Sequence, residues 1–262
     1  MFKGMQYSKA SAAACAIVAA AALAVTLAPA AQAAAPTDAQ ISAALKRHGD
    51  GTWTQADVDL IRSIPSLAAV VEDVTRPEEV TTNSATFTAD GQAVSSANGE
   101  PLSVEELAKI MPGDGAEISV PGEVVTTAPG TDVDPAGGGV GAMITGGKWK
   151  MTHITHTHRS YSGGIIFAYH TYAQFNYGGG KVRAWGQRYD DFTDDDLVAQ
   201  VKVTPKRLVD MKSGTPANSG SSMMKREVDL CVFKYGCYAT LHPWAKVKVY
   251  GTGKTAIGGS GV

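Results

Sequence analysis

The fold is decided by the stretch IIFAYHTYAQFNYGGGKVRAWGQRY, which spans residues 165–189. β-Branched and aromatic residues alternate with small and polar ones on both sides of Gly178, Gly179 and Gly180. This composition and period favour strands, and glycines between two such runs are typical of a hairpin turn. The stretch therefore predicts two antiparallel strands, at residues 165–177 and 181–189.

Similar strand-like runs occur on both sides of this hairpin. They cover residues 148–158, 197–203, 223–233 and 245–250. Six strands, turns rich in Gly, Pro and Ser, and almost no helical periodicity predict a mainly β fold over residues 148–262. The expected architecture is an antiparallel β-sandwich or a small barrel.

The charge of the chain changes sign near residue 147. Residues 34–147 contain 5 Lys and Arg against 17 Asp and Glu, whereas residues 148–262 contain 16 against 8. The predicted domains are an acidic, partly helical or disordered region at 34–125, a Gly/Pro linker at 126–147 and a basic β-domain at 148–262. The opposite charges suggest that the acidic region covers the basic domain, and an inert acidic stalk is the alternative.

The acidic region contains short helix signals. Thr37 precedes apolar residues at helical spacing in 37–48, and Thr54 with Asp57 forms a capping box before 54–67. Ser103 and Glu106 form a further capping box. Weak strands are predicted at 79–81 and 85–88.

The first 33 residues have the layout of a secretory signal peptide. Two lysines precede an apolar run at residues 10–28, and Ala31-Gln32-Ala33 is a small-residue cleavage pattern. Cleavage after Ala33 predicts a secreted, extracellular protein without a stable membrane anchor. The alternative is an uncleaved anchor, because the apolar run approaches the length that spans a bilayer.

Export leaves two cysteines, Cys231 and Cys237, because Cys15 lies inside the signal peptide. An even pair in an oxidising compartment predicts a structural disulfide. A metal pair and a redox thiol are the alternatives. Five intervening residues do not match a Cys-x-x-Cys motif, however, and no further cysteine remains to complete a zinc site.

Two sequence features are candidate metal sites. His156 and His158 project from one face of a strand, and His170 on the next strand, or else His242, could complete a zinc or copper site. The alternative is a polar, pH-sensitive surface. The acidic run from Asp190 to Asp196 offers oxygen donors for calcium, and a solvated turn is the alternative.

The sequence favours a binding protein over an enzyme. Residues 160–164 lack the Gly-x-Ser-x-Gly pattern of a nucleophile elbow, and no cofactor is expected. Aromatic residues interspersed with basic ones predict a binding face. Its members are Tyr172, Arg183, Trp185, Arg188, Tyr189, Tyr238 and Trp244.

The leading hypothesis is a secreted, non-enzymatic adaptor or inhibitor that uses this face. Its expected partner is another secreted protein or a cell-surface polymer. Nucleic acid is disfavoured, because the basic residues form no run and the chain is exported. The alternative hypothesis is a metal-binding protein or a metal-assisted hydrolase centred on His156, His158 and His170.

Several motifs lie in the second half of the chain: Cys231-Val-Phe-Lys-Tyr-Gly-Cys237, His242-Pro-Trp244, Val247-Lys-Val-Tyr-Gly251 and the upstream Arg188-Tyr189-Asp190. Together they resemble the motifs of small secreted β-domains of actinobacteria. The resemblance covers about residues 148–251. It implies the fold and secretion, and it brings no activity or catalytic residues. A further likeness, to adaptor subunits of secreted antibacterial toxin particles, implies a place in a toxin complex.

Overall fold

The structure is a computed structural model that describes residues 35–88, 92–95, 98–110, 146–193 and 200–262. Pro36–Val262 form one compact unit. The predicted signal peptide lies outside the described residues, as do residues 126–145 of the predicted linker and the acidic residues Asp194, Asp195 and Asp196.

The described residues form four helices and twelve strands. The helices are α1 (Asp38–Gly49), α2 (Gln55–Ser63), α3 (Pro65–Ala68) and α4 (Val104–Ile110). The strands are β1 (Glu79–Phe87), β2 (Ala93–Ser95), β3 (Lys148–Arg159), β4 (Ile165–Gly178), β5 (Lys181–Thr193), β6 (Gln200–Val203), β7 (Val209–Lys212), β8 (Ser219–Lys225), β9 (Val228–Val232), β10 (Gly236–Leu241), β11 (Trp244–Tyr250) and β12 (Thr255–Gly261).

The strands make three antiparallel sheets. Their strand orders are β2-β1-β3-β4-β5, β10-β9-β6 and β12-β11-β8-β7. The prediction of a mainly β, antiparallel fold is confirmed, and the arrangement is consistent with a β-sandwich. The central hairpin is also confirmed, because β4 and β5 pair up to Gly178 and Lys181. Gly179 and Gly180 have positive φ at its turn, where a side chain would be strained.

The helix caps form as the sequence predicts. The Thr37 hydroxyl accepts a hydrogen bond from the Gln40 amide, and Thr54 and Asp57 make a reciprocal capping box. The predicted helix over 54–67 is divided into α2 and α3, because Pro65 cannot donate the backbone hydrogen bond that a continuous helix needs.

Strand β4 of the five-stranded sheet is buried on both faces. Phe167, Tyr169 and Phe175 of β4 belong to the main core cluster. Tyr172 belongs to a second cluster on the opposite face, with Phe87 of β1. Every residue of β4 from 166 to 176 is buried, so both of its faces are packed.

The acidic segment is part of this fold. The two predicted strands at 79–81 and 85–88 are one strand, β1, which pairs with β3 from Glu79↔Thr157 to Phe87↔Trp149. α1 packs against β10 so closely that a Cβ at Gly49 would clash with the backbone of Tyr238. The inert-stalk alternative is therefore wrong for α1 and β1.

One predicted strand, at residues 223–233, is two strands that belong to different sheets. The break falls at Arg226, whose amide donates to the Pro243 carbonyl at 3.0 Å instead of continuing the ladder. β8 then belongs to the four-stranded sheet and β9 to the three-stranded sheet. β2, β7, β10 and β12 were not predicted.

Candidate functional site

The predicted aromatic-basic residues do not form one surface. The Tyr172 ring is buried and stacks between His153 and Tyr189, with ring centroids at 4.5 and 4.3 Å. The Trp185 indole N–H donates to the Ser213 carbonyl at 2.8 Å. These aromatic side chains therefore pack against other residues of the fold.

The remaining members of the predicted face are also engaged within the fold. Arg183 donates to the Gly146 carbonyl at 2.6 Å, and Arg188 pairs with Asp210. The Tyr238 hydroxyl accepts from the Glu72 amide at 3.1 Å. The Trp244 ring packs so closely on β12 that a Cβ at Gly261 would lie 2.8 Å from its Nε1. Six of the seven predicted residues are partly exposed, and only Tyr172 is buried. Tyr172 and Tyr189 pack with one core cluster, whereas Trp185 and Tyr238 pack against the other, so the predicted residues do not all share one face.

The three predicted metal ligands lie on opposite faces of the sheet. The register pairs His156 with Tyr169 and His158 with Phe167, so these four residues share a face. His170 therefore points to the other face, where its Nδ1 lies 2.9 Å from His153 Nε2. Within the described ranges, no three His, Cys, Asp or Glu residues are placed to hold a metal ion. The predicted trio does not form a metal site.

The first residue of the candidate calcium run is used in an internal ion cluster. The Asp190 carboxylate accepts from Arg226 at 2.7 and 3.0 Å, from Arg207 at 2.6 Å and from the Tyr169 hydroxyl at 3.0 Å. Burial alone would raise the pKa of Asp190, but the two guanidinium groups outweigh that effect and hold the pKa below its usual value. Asp190 is therefore not free to bind a cation.

Cys231 and Cys237 form the predicted disulfide across β9 and β10. We call the segment that it closes the disulfide hairpin, residues 231–237. Its turn is held by the Tyr235 amide, which donates to the Val232 carbonyl at 2.9 Å, and by Gly236, whose φ is +78°. The disulfide hairpin is thus fixed at its base and within its turn.

Phe233 projects from the disulfide hairpin and is 90% exposed. The two residues after it are bound to the start of α1. Lys234 Nζ lies 2.6 Å from Asp38 Oδ1, and the Tyr235 hydroxyl donates to the same oxygen at 3.0 Å. The hairpin therefore holds a large apolar side chain out in water. An aromatic residue inside a short cysteine-closed loop was the sequence signal for this feature, and it was not recognised.

A cleft of about 330 Å³ opens where α1, the segment after α3 and the end of β3 meet. We call it the histidine cleft, because His48 and His158 form part of its wall together with Glu72, Glu78 and Trp53. His158 Nδ1 lies 2.7 Å from Glu72 Oε1, and His48 Nε2 lies 2.8 Å from the Glu72 carbonyl oxygen. Glu72 thus connects the two rings.

These contacts place one hydrogen on each ring. A carbonyl or carboxylate oxygen only accepts, so His48 Nε2 and His158 Nδ1 carry hydrogens. The other two ring nitrogens, His48 Nδ1 and His158 Nε2, are buried without a hydrogen-bond partner, and because burial lowers the pKa of His48, its Nδ1 is an acceptor. Sequence reasoning missed His48 and Glu72, because the residues that meet here are far apart in the chain.

His156 lies beside this cleft wall, with its ring centroid 4.7 Å from that of His158. Its side chain has no solvent exposure, and its Nε2 lies 3.4 Å from Glu78 Oε2. Burial, together with the neighbouring His158, lowers the pKa of His156 to about 4. Burial also lowers the pKa of His48. His156 is therefore neutral at neutral pH.

No family model, curated protein or solved structure matches this chain. Across the part of the chain that the structure describes, there is no helix with the length and apolar character needed to cross a membrane.

Proposed function

We propose that the protein is a secreted, non-enzymatic binding module that engages another secreted protein through its disulfide hairpin. The observation that carries the proposal is the 90% exposure of Phe233 at a closed and tethered turn. Moving a phenylalanine side chain from water into a partner's pocket is worth on the order of 2 kcal/mol. An aromatic side chain of this kind is a typical anchor of a protein interface.

The hairpin around Phe233 is organised before any partner arrives. The disulfide closes its base, and β9 and β10 remain paired as far as Val228 and Leu241. Asp38 holds the tip through Lys234 and Tyr235. Few additional side-chain and backbone torsions then become ordered when a partner binds. Because the entropic cost of binding is lower, more of the free energy of the contacts contributes to affinity.

The surroundings of Phe233 suit the rim of an interface. The Lys234 and Asp38 side chains are 62% and 64% exposed. Polar, solvent-accessible groups around one apolar anchor are the usual arrangement at protein interfaces. The proposal therefore moves the contact to the hairpin tip, away from the seven predicted aromatic and basic residues, each of which contacts other residues of the fold.

The likeness to adaptor subunits of secreted antibacterial toxin particles supports an adaptor role, and secretion is supported by the resemblance to small secreted actinobacterial β-domains. Its most specific motif, Cys231-Val-Phe-Lys-Tyr-Gly-Cys237, is the disulfide hairpin itself. We extend the proposal to an adaptor within a secreted antibacterial toxin complex, in which the hairpin contacts another subunit.

Site-specific photo-crosslinking tests this proposal. A photoreactive amino acid replaces Phe233 in the full chain, and a matched control carries it at Val104, which is 87% exposed on α4. In culture supernatant, position 233 should give one discrete cross-linked product that excess wild-type protein suppresses and excess Phe233→Ala protein does not. Equal products at both positions, or equal competition by the Phe233→Ala protein, would overturn the proposal.

A further inference from the structure

We propose that the histidine cleft binds a guanidinium group, such as that of an arginine side chain. This site is separate from the disulfide hairpin and does not depend on the function proposed for it. The inference rests on the charge balance of the cleft, on the hydrogen-bonding character of its wall and on its size.

The lining of the cleft has an excess of negative charge. Four carboxylates line it, those of Glu72, Asp73, Glu78 and Glu79, against two guanidinium groups, those of Arg76 and Arg159. Arg159 Nε lies 2.8 Å from Glu79 Oε2, and Arg76 Nε lies 3.8 Å from Asp73 Oδ2. The charges of Asp73 and Glu79 are thereby offset.

Glu72 and Glu78 have histidines, not arginines, as their neighbours. Glu72 accepts from His158, and Glu78 lies beside His156, which is neutral at neutral pH. The Glu78 side chain is 47% exposed, so an arriving ligand can reach it. Neither carboxylate therefore has a lysine or arginine partner among the described residues, and a ligand with positive charge would be favoured.

The wall of the cleft offers hydrogen-bond acceptors. His48 Nδ1 is a buried acceptor without a partner, because the Nε2 of that neutral ring donates to the Glu72 carbonyl. The carboxylates of Glu72 and Glu78 also accept. A buried acceptor without a partner is costly, so a ligand rich in N–H donors gains more here than a simple cation does. A guanidinium group carries five N–H donors in a planar arrangement, and an ammonium group carries three.

The shape and the apolar lining of the cleft fit one such side chain. Its volume of about 330 Å³ is at the lower end of the range for ligand pockets. Trp53, which is 36% exposed, offers an aromatic face on which a guanidinium group can stack. Leu241 and Val262 also line the cleft and can contact the alkyl stem of the ligand.

Calorimetric titration of the full chain with N-acetyl-arginine amide tests the site, and N-acetyl-citrulline amide is the matched neutral control. The arginine compound should bind at least about tenfold more tightly, because citrulline keeps the shape and loses the charge and part of the donor set. Equal affinity for both compounds, or no heat with either, would overturn the proposal. A peptide with a central arginine identifies the source of the ligand: tighter binding than the amide indicates a side chain presented by a protein, and weaker binding indicates a free small molecule.

Variants locate the site. Glu78→Gln and Trp53→Ala should each weaken binding of N-acetyl-arginine amide several-fold, whereas Glu100→Gln, an exposed carboxylate outside the cleft, should not. Glu78 and Trp53 are at least one-third exposed, so these variants keep the fold even if Glu72→Gln does not. Unchanged affinity in both variants would contradict the assignment. Phe233→Ala should bind the arginine compound like the wild type, so the two proposals can fail separately.

Discussion

Arg226 meets Asp190 through two nearly parallel contacts, with Nε 2.7 Å from Oδ2 and Nη2 3.0 Å from Oδ1. The Asp190 side chain has no solvent exposure and that of Arg226 has 15%. The pair joins β5 to the point where β8 ends and β9 begins. Since these strands belong to three different sheets, the contact fixes how the sheets meet.

Asp190→Asn should destabilise the protein by about 3 kcal/mol, because it leaves Arg226 buried without its counter-charge. Chemical denaturation measures this as a lower free energy of unfolding. Asp210→Asn is the matched control, since the Asp210 side chain is 36% exposed and its ion pairs lie near the surface. The control should cost at most about 1 kcal/mol. Equal losses in both variants would contradict the structural role of Asp190.

Acidification should destabilise the protein between pH 6.5 and about pH 4. The pKa of His156 is about 4 in the fold, against an ordinary value of 6.5, so the unfolded chain binds a proton that the folded chain excludes. Stability is therefore full above pH 6.5 and falls as the pH drops toward 4. A single such proton gives a slope of at most about 1.4 kcal/mol per pH unit.

His156→Leu should flatten this dependence, because leucine cannot take up the proton. Denaturation of wild type and variant at several pH values between 4 and 7 gives the two slopes. His242→Gln serves as the control, since the His242 side chain is 41% exposed and lies outside the cleft. If wild type and His156→Leu have the same slope, His156 is not the group that titrates.

Removal of the disulfide by the double change Cys231→Ser and Cys237→Ser should cost about 2 kcal/mol, the loop-entropy value for so short a ring. The melting temperature should fall accordingly, and reduction of the wild type should have a similar effect. Thiol titration of the native protein should find no free thiol. Two titratable thiols without denaturant would show that the bond does not form in the native protein.

Residues 34–136 and 148–262, produced as separate chains, should form a complex that persists at about 0.5 M salt. Charge attraction alone would be screened under these conditions. The structure adds the backbone ladder between β1 and β3 and the core contacts of Ile41 and Leu45, which salt does not weaken. Size-exclusion chromatography at low and high salt measures the complex, and separation at 0.5 M would mean that charge alone holds the two pieces together.

The sequence predicted the elements whose signals are local. Thr37 and Thr54 mark the starts of α1 and α2, and Gly178 to Gly180 mark the turn between β4 and β5. The two-residue period of the predicted strand at 148–158 places Met151 and Ile154 on different faces, and these two residues belong to different core clusters. Each of these features depends on residues within a few positions of one another.

The candidate sites depended on the register in which the strands pair, and this register cannot be read from a short stretch of sequence. Because His156 pairs with Tyr169, the neighbouring His170 is on the opposite face of the sheet. A shift of one residue in the pairing of β4 with β3 would have brought His170 to the face of His156. The histidine cleft could not be predicted from the sequence either, since only long-range packing brings His48, Glu72 and His158 together.

The burial of β4 on both faces determines where this chain can accumulate substitutions. A strand with one solvated face tolerates exchange at every second position, but no position from 166 to 176 of β4 has that freedom. A new binding specificity can therefore arise more readily at the disulfide hairpin, where Phe233 can be replaced without opening a cavity in the core. The molecule thus separates an interior with little mutational tolerance from an exposed tip that is free to diversify.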